Sequence, residues 1–379
     1  MRLLHTADLH LGRQLNGLSL EDDHAAVLDQ IARSACDHHI DVLVIAGDIF
    51  DRAAPPSSAV RQFNDFLSRI ALETDAALVM IAGNHDSGDR IASMAIMTDT
   101  QRALIRGPVR ADERPLIVPD KHGAVAFSGL PFAYEYAARE CFADEDIQTP
   151  EDVLQAQVAA ARCHVPEDMR WVIVAHAFVS GATGSDSERP LTKVGGIETV
   201  RPEIFGGAHY VALGHLHRPQ SVMPHIRYSG APLAFGFDEV NAEKSMSLIE
   251  IGATGDVTVE TISFEPLHSV RVLTGKHAEL LLGEPSEDFV KAVLTDEVPV
   301  IDAMRRLRDV FPNACDLSYE RDARAPEIKS RDIHAVKAIQ PIDVISGFLK
   351  LVRDDSLSDN ERDVVMSVVR KLHESGDME

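Results

Sequence analysis

Eight side chains of the kinds that bind metals or move protons stand at the ends of short apolar runs. Asp8 and His10 follow the opening run at 2–6, and Asp48 follows 41–46 within Gly47-Asp48. Asn84 and His85 follow 77–82 within Gly83-Asn84-His85-Asp86. His176 closes 171–175, and His215 and His217 follow 210–213 within Gly214-His215-Leu216-His217. Carboxylate, amide and imidazole donors without a thiolate suit manganese, iron or zinc. One ion takes roughly four to six donors, so the set is large enough for two. Two ions about 4 Å apart need a bridge, and a carboxylate can offer one oxygen to each. Asp48, in the turn after Gly47, is the candidate bridge. Such a pair of cations lowers the pKa of a water and neutralises phosphate oxygens, which is phosphoester hydrolysis chemistry. His85, beside a coordinating Asn84, is then free to protonate a leaving oxygen. Asp86 is expected either to orient His85 or to cap the helix that follows.

The elements that must position these groups can be read from the same runs. Continuous apolar, β-branched stretches of this length are expected as strands buried on both faces. Helical spacing separates them, with Ala26, Val27, Ile31 and Ala35 in 22–38, and Val60, Phe63, Phe66, Leu67 and Ile70 in 57–72. Alternating strands and helices predict a layered α/β core whose functional groups gather beyond the carboxyl ends of the strands. After about residue 262 the pattern changes. Strands are expected at 269–273 and 288–294 and helices at 276–282 and 300–310, a small α+β domain. A charged stretch at 320–332 reads as a linker or exposed loop. From Pro341 two amphipathic helices follow, one with Ile342, Val344, Ile345, Phe348, Leu349 and Val352, the other with Val364, Val365, Val368 and Val369. A pair of helices cannot bury its apolar faces alone, so it must pack on its own chain or on a partner.

Composition narrows the function classes. With 379 residues, 45% of them hydrophobic and 26% charged, the chain has the balance of a globular protein. It shows no run of membrane-spanning length and no room for a signal peptide before Asp8, so a cytoplasmic protein is expected. The four cysteines lie far apart, which suits small buried thiols better than a disulfide framework or thiolate zinc. The net charge of −23 fits poorly with a stand-alone nucleic-acid binder. Arg305, Arg306 and Arg308, with Lys329 and Arg331, form a candidate basic cluster, although a solvated helix face is the simpler explanation of the triplet taken alone.

Taken in order, Asp8-Leu9-His10, Gly47-Asp48, Gly83-Asn84-His85-Asp86, His176 and Gly214-His215-Leu216-His217 resemble the signature of the metallophosphoesterase superfamily. Within it, the chain resembles the bacterial SbcD family through residues 5–13, 185–191, 210–220 and 227–233. The likeness spans nearly the whole chain and is firmest before residue 265. It implies a layered sandwich of central β-sheets flanked by helices (1–265), a small α+β capping domain (266–335) and a C-terminal helical partner-binding tail (336–379) anchored by Phe348 and Leu349. Carried over, Asp8, His10, Asp48 and His217 hold one manganese ion, Asp48, Asn84, His176 and His215 the other, and His85 acts on the transition state or leaving group. The resemblance also implies a DNA nuclease, exonucleolytic 3′ to 5′ on duplex ends and endonucleolytic on single strands and hairpins. Its partner would be a coiled-coil ATPase of the SbcC type, with the nuclease subunits paired as a homodimer within a heterotetramer. Archaeal and eukaryotic relatives carry a histidine three residues after the bridging aspartate, where this chain has Asp51, so any role of that histidine does not transfer.

Three alternatives share the motifs. A protein phosphatase would carry glycine where Ala53 stands and glutamate where Asp86 stands. A small-molecule phosphodiesterase fits the metal core but gives no use for the C-terminal third. A catalytically dead scaffold would not need the full ligand set. His5 is expected near the site, the remaining histidines on the surface or in packing, and 180–187 as a glycine- and serine-rich loop beside His176 that is either simply flexible or in contact with substrate.

Overall fold

The computed structural model describes residues 1–95, 102–185, 187–188, 192–193, 196–197 and 199–323, with short pieces at 345–346, 358, 361–362 and 364–367. The chain forms two compact units, Met1–Glu320 and Arg321–Glu379.

Two six-stranded sheets make the body of the first unit. One runs Val257–Ser263, Ser245–Ile251, Arg2–Thr6, Val42–Ala46, Ala77–Ile81, Ala103–Arg106, and the other Gln220–Met223, Ile226–Tyr228, Tyr210–Gly214, Arg170–His176, Gly123–Leu130, Leu116–Asp120. Arg2–Thr6, Val42–Ala46, Ala77–Ile81 and Ala103–Arg106 are mutually parallel, as are Gly123–Leu130, Arg170–His176, Tyr210–Gly214 and Ile226–Tyr228. Antiparallel neighbours close each sheet.

Side chains alternate across a strand, and that period divides the apolar residues into three layers. Val42, Val44, Val79 and Ile81 from one sheet meet Phe127, Val172, Val174 and Ala212 from the other in a layer between the sheets. Leu43, Ile45 and Met80 turn the opposite way, onto Val27, Ile31, Phe63 and Phe66 of the helices Glu21–Asp37 and Ser57–Glu73. On the far side, Trp171, Ile173 and Val211 pack on Leu154 and Val158 of the helix Pro150–Arg162. Helix, sheet, sheet and helix are thus stacked in that order, and a strand covered on both faces must be apolar at every position. This is the layered α/β sandwich expected from the runs.

Residues 270–319 build a three-stranded parallel sheet, Val270–Gly275, Phe289–Leu294 and Ala314–Tyr319, with a core of its own around Val290, Ala292, Leu307 and Phe311. Its helices are shorter than expected, His277–Leu280 and Ala303–Arg308, and its third strand has no counterpart in the sequence reading. Arg305, Arg306 and Arg308 are exposed on the second helix, while Lys329 and Arg331 lie outside the described residues. Of the tail, Ser358 and Glu361 exchange the hydrogen bonds of a capping box, and Phe348 and Leu349 lie outside the described residues. The four cysteines are free thiols, but none is buried as expected: Cys163 is exposed and Cys36, Cys141 and Cys315 are half-buried. Among the described residues no helix is long and apolar enough to cross a membrane.

Because the layer between the sheets holds them in register, Phe127→Ala, at a fully buried position within it, should cost ~3–5 kcal/mol in urea unfolding. A loss under about 1 kcal/mol would show that the sheets do not depend on that layer.

Candidate metal centre

The parallel strands of both sheets deliver their carboxyl ends to one edge, and there the two sheets are tied to each other. His176 at the end of one sheet donates from Nδ1 to the Ala46 carbonyl of the other at 2.9 Å. The His215 backbone N–H donates to the Asp8 carboxylate at 2.9 and 3.1 Å. A Cβ at Gly214 would strike the Ala46 carbonyl, and one at Gly47 or Gly83 would strike His176 or Asp48. The glycines are there for close approach.

Asp8, His10, Asp48 and His215 all adopt positive φ, at 55°, 46°, 51° and 104°. Such backbone costs of order 1–3 kcal/mol per residue and persists only where its surroundings over-determine it. The loops supply that constraint by zipping together. Asp8 N–H donates to Gly47 O at 3.0 Å, His10 N–H to Asp48 O at 3.0 Å, and Leu11 N–H to Ile49 O at 2.9 Å. Asp86 fastens the same turn, its carboxylate accepting from the N–H groups of Ile49, Phe50 and Gly83. This corrects both roles expected for Asp86. It neither orients His85 nor caps the next helix, where Ser87 accepts from the Arg90 N–H instead.

All eight candidate side chains converge here. Asp48 Oδ2 lies 3.5 Å from His176 Nε2, 3.7 Å from His10 Nε2 and 4.0 Å from His85 Nε2. Asn84 Oδ1 lies 2.9 Å from His176 Nε2 and 3.0 Å from His215 Nδ1, and His10 Nε2 lies 3.2 Å from His217 Nε2. Since His176 Nδ1 carries its proton toward Ala46, its Nε2 lone pair faces the lone pairs of Asn84 and Asp48. Acceptors brought so close need a proton or a cation between them. The donor set therefore fits divalent cations. Among the described residues, two groups of three ligand atoms lie within 4.8 Å of one another, Asp8–Asp48–His176 and His10–Asp51–His85. The second includes Asp51, whose carboxylate was not among the expected ligands.

The electrostatics follow from burial. Burial alone would lower the His176 imidazole, but the charges of Asp48 and Asp8 and the Ala46 carbonyl push it up to about 9. Burial pushes His215 down to about 3, with the charge of His176 acting the same way, and holds His10 and His217 well below the ordinary range. Burial, then the charge of Asp48, lifts Asp86 to about 7 against its three N–H donors. Without a cation, an imidazolium at His176 balances Asp48.

The calcineurin-like phosphoesterase family model matches residues 1–219, and the type 5 capsule protein repressor C-terminal domain model matches residues 264–353. The chain is 30% identical to the SbcD component of the SbcCD nuclease of Staphylococcus saprophyticus over 381 residues, 99% of this chain and 100% of that one. The chain belongs to the SbcD family of calcineurin-like phosphoesterases. The crystal structure of TT1561 of Thermus thermophilus aligns with 70% of this chain and 99% of that one at a TM-score of 0.41 and 12% identity.

Around the centre stands a support that the sequence did not reveal. Ser187 Oγ lies 3.0 Å from His217 Nδ1, and Glu188 accepts from the His217 N–H at 2.7 Å, so the loop read as flexible or substrate-contacting also props a site residue. Buried Glu239 accepts from Lys244 Nζ at 2.8 Å and the Phe235 N–H at 2.7 Å, and Lys244 reaches the His217 carbonyl at 3.1 Å. The Phe235 ring meets His10 and His217 edge-on at 5.1 and 5.4 Å, with the Arg13 guanidinium 4.7 Å from its centroid. Ser187 and Glu188 lie in a stretch the family resemblance already marked. Glu239, Lys244 and Phe235 had no such signal. His5, expected nearby, is buried with Nδ1 2.9 Å from the Tyr210 hydroxyl.

Two outcomes test this centre. Because Asp86 holds the turn without facing the cations, Asp86→Ala should weaken manganese binding about 10–100-fold by titration calorimetry. Unchanged affinity would remove Asp86 from the support. A histidine raised from 6.5 to about 9 stabilises the metal-free fold below about 6.5 and loses that contribution as pH rises through about 9. A cation replaces the departing proton, so manganese should raise the melting temperature more at about pH 8.5 than at about pH 6.5. Equal shifts at the two pH values would contradict the assignment of His176.

Proposed function

We propose that the chain is a metal-dependent DNA nuclease subunit, exonucleolytic 3′ to 5′ on duplex ends and endonucleolytic on single strands and hairpins. It would act with an SbcC-type coiled-coil ATPase in DNA repair and recombination in the cytoplasm. The observation that carries this reading is the convergence of seven polar side chains about the buried Asp48 carboxylate, in a chain that matches a nuclease component from end to end. The same reading takes the centre as a two-ion site. Asp8, His10, Asp48 and His217 would hold one manganese ion, and Asp48, Asn84, His176 and His215 the other. The position of Asp48 Oδ2 between the His10 and His176 imidazoles suits a bridge.

Cations bound there would supply an acidified water and would neutralise the phosphate oxygens. The side chains supply the rest. His85 Nδ1 donates to the Asp51 carbonyl at 2.8 Å, and the His85 backbone N–H donates to Asp48 Oδ1 at 2.9 Å, so both its ring and its backbone are fixed. Its Nε2 is thereby aimed at the Asp48 side of the centre, with the side chain 14% exposed. From there it can protonate the leaving oxygen as water adds to phosphorus and the P–O bond breaks. The His10 ring meets the His85 ring edge-on at 4.7 Å, and Phe235 packs edge-on against His10 in turn.

Residues 266–335 are assigned on this reading to a cap beside the DNA path and 336–379 to the ATPase-binding tail, with nuclease subunits paired in a heterotetramer. A second reading of His85 follows from its grouping with His10 and Asp51, in which it ligates a cation. One pair of variants separates the two. Asp48→Ala should abolish manganese-dependent cleavage of single-stranded and hairpin DNA. His85→Ala should keep its bound manganese and lose about 10²–10⁴-fold in kcat. Loss of manganese from the His85 variant would favour the ligand reading, and cleavage surviving in the Asp48 variant would end the proposal.

A further inference from the structure

Beside the metal centre stands a ladder of aromatic rings for which the centre has no use. The strand Gly123–Leu130 ends next to Arg170–His176, pairing Leu130 with Ala175, and the chain then reads Pro131-Phe132-Ala133-Tyr134-Glu135-Tyr136. The Phe132 N–H donates to the Ala82 carbonyl at 3.0 Å, which pins this segment to the strand end that carries Asn84 and His85. Phe132, Phe178 and His176 line one small cavity. The Phe132 ring meets Tyr134 edge-on at 5.0 Å and 84°. Tyr134 and Tyr136 then lie face to face at 5.7 Å and 12°, though exposed by 46% and 64%.

Large rings gain from burial, and two of them held flat in water leave a face on which another planar ring can stack. We propose that Tyr134 and Tyr136 form a stacking platform for an unpaired nucleobase of the strand whose phosphodiester sits at the metals. The proposal rests on the nuclease reading above and adds the means by which single-stranded substrate is gripped. Three observations point to a base. The platform is tied to a phosphodiester-cleaving centre through Phe132. The helix that follows opens on Glu135, and the guanidinium of its one basic residue, Arg139, is turned to the Ile147 carbonyl at 2.8 Å, so it offers a phosphate little grip. The chain as a whole carries a net charge of −23, which leaves uncharged stacking as an available route to a polyanion. Every base has a π-face, so such a contact tolerates any sequence, but bases paired inside a duplex present none. The platform therefore favours single strands and frayed ends.

The test uses the full chain with manganese and a single-stranded oligonucleotide, alongside one made abasic next to the scissile bond. The Tyr134→Leu/Tyr136→Leu double variant should raise KM for the intact oligonucleotide about tenfold, the weight of a lost base stack. It should leave KM for the abasic one and hydrolysis of methyl p-nitrophenyl phosphate unchanged, and Tyr→Phe at both positions should behave as wild type. Since no phosphate contact is lost, the salt dependence of KM should keep its slope. An unchanged KM for the intact oligonucleotide, an equal loss on the abasic one, or a shallower salt slope would each overturn the platform while the nuclease reading stands. A change in sedimentation with wild-type KM would assign the rings to contact with a second copy of the chain. Wild-type protein that hydrolyses the small diester but cuts no oligonucleotide, alone or with the ATPase and ATP, would overturn the nuclease reading and the platform together.

Discussion

A carboxylate with almost no access to water governs this structure. Asp48 is 2% exposed and sits among three imidazoles, and an ionised group taken out of water must be matched by charge or its pKa rises until it is neutral. Here the match is arranged from two sheets at once. His176 leans across from the second sheet and is held there by Ala46 of the first, so neither sheet builds the site alone. The apolar layer between the sheets is what sets the distance between their edges, and the edges are where the charges meet.

Burial of this kind demands rigid loops, and the loops here are rigid at a local cost. Four of the converging residues occupy left-handed backbone, where side-chained residues are disfavoured. Backbone hydrogen bonds between the Asp8–Leu11 and Gly47–Ile49 turns, and the three donated to Asp86, offset that cost. Glycine at 47, 83 and 214 permits the approach that any Cβ would block. Strain, glycine and a buried acceptor are three parts of one solution, which is to fix donor atoms before a ligand arrives.

A further ring of contacts acts on the ligand side chains through their backbones and their second nitrogens. Ser187 and Glu188 hold His217 from one side, and the Glu239–Lys244 pair holds its carbonyl from another. Outer contacts of this kind set the tautomer and angle of an imidazole. Burial lowers the Lys244 ammonium, but the neighbouring Glu239 carboxylate works against that and keeps a charge useful there. An acidic chain thus concentrates its compensating groups inside, next to the place where divalent cations fit.

Sequence by itself determined five of the parallel strands in the two large sheets and the eight residues at their ends. Full burial on both faces forces unbroken apolar runs, so polar ligands such as Asp48 and His176 collect where the runs end. It also marked the two long helices, because a helix covering one face of a sheet must repeat its apolar residues at helical spacing. Tertiary structure alone decided which of these groups face one another. The role of Asp86 shows why: its three donors belong to residues 49, 50 and 83, and no local pattern records a contact made across loops. Glu239 and Lys244 lie more than twenty residues from His217 in the chain and meet it only because the sheet returns them there. The strand at Ala314–Tyr319 escaped notice, as did Gly123–Leu130 and Ser245–Ile251 in the large sheets, because polar residues or glycine interrupt their apolar runs. Alternation and spacing are written along the chain, whereas the distances that make a site are set by how two sheets pack.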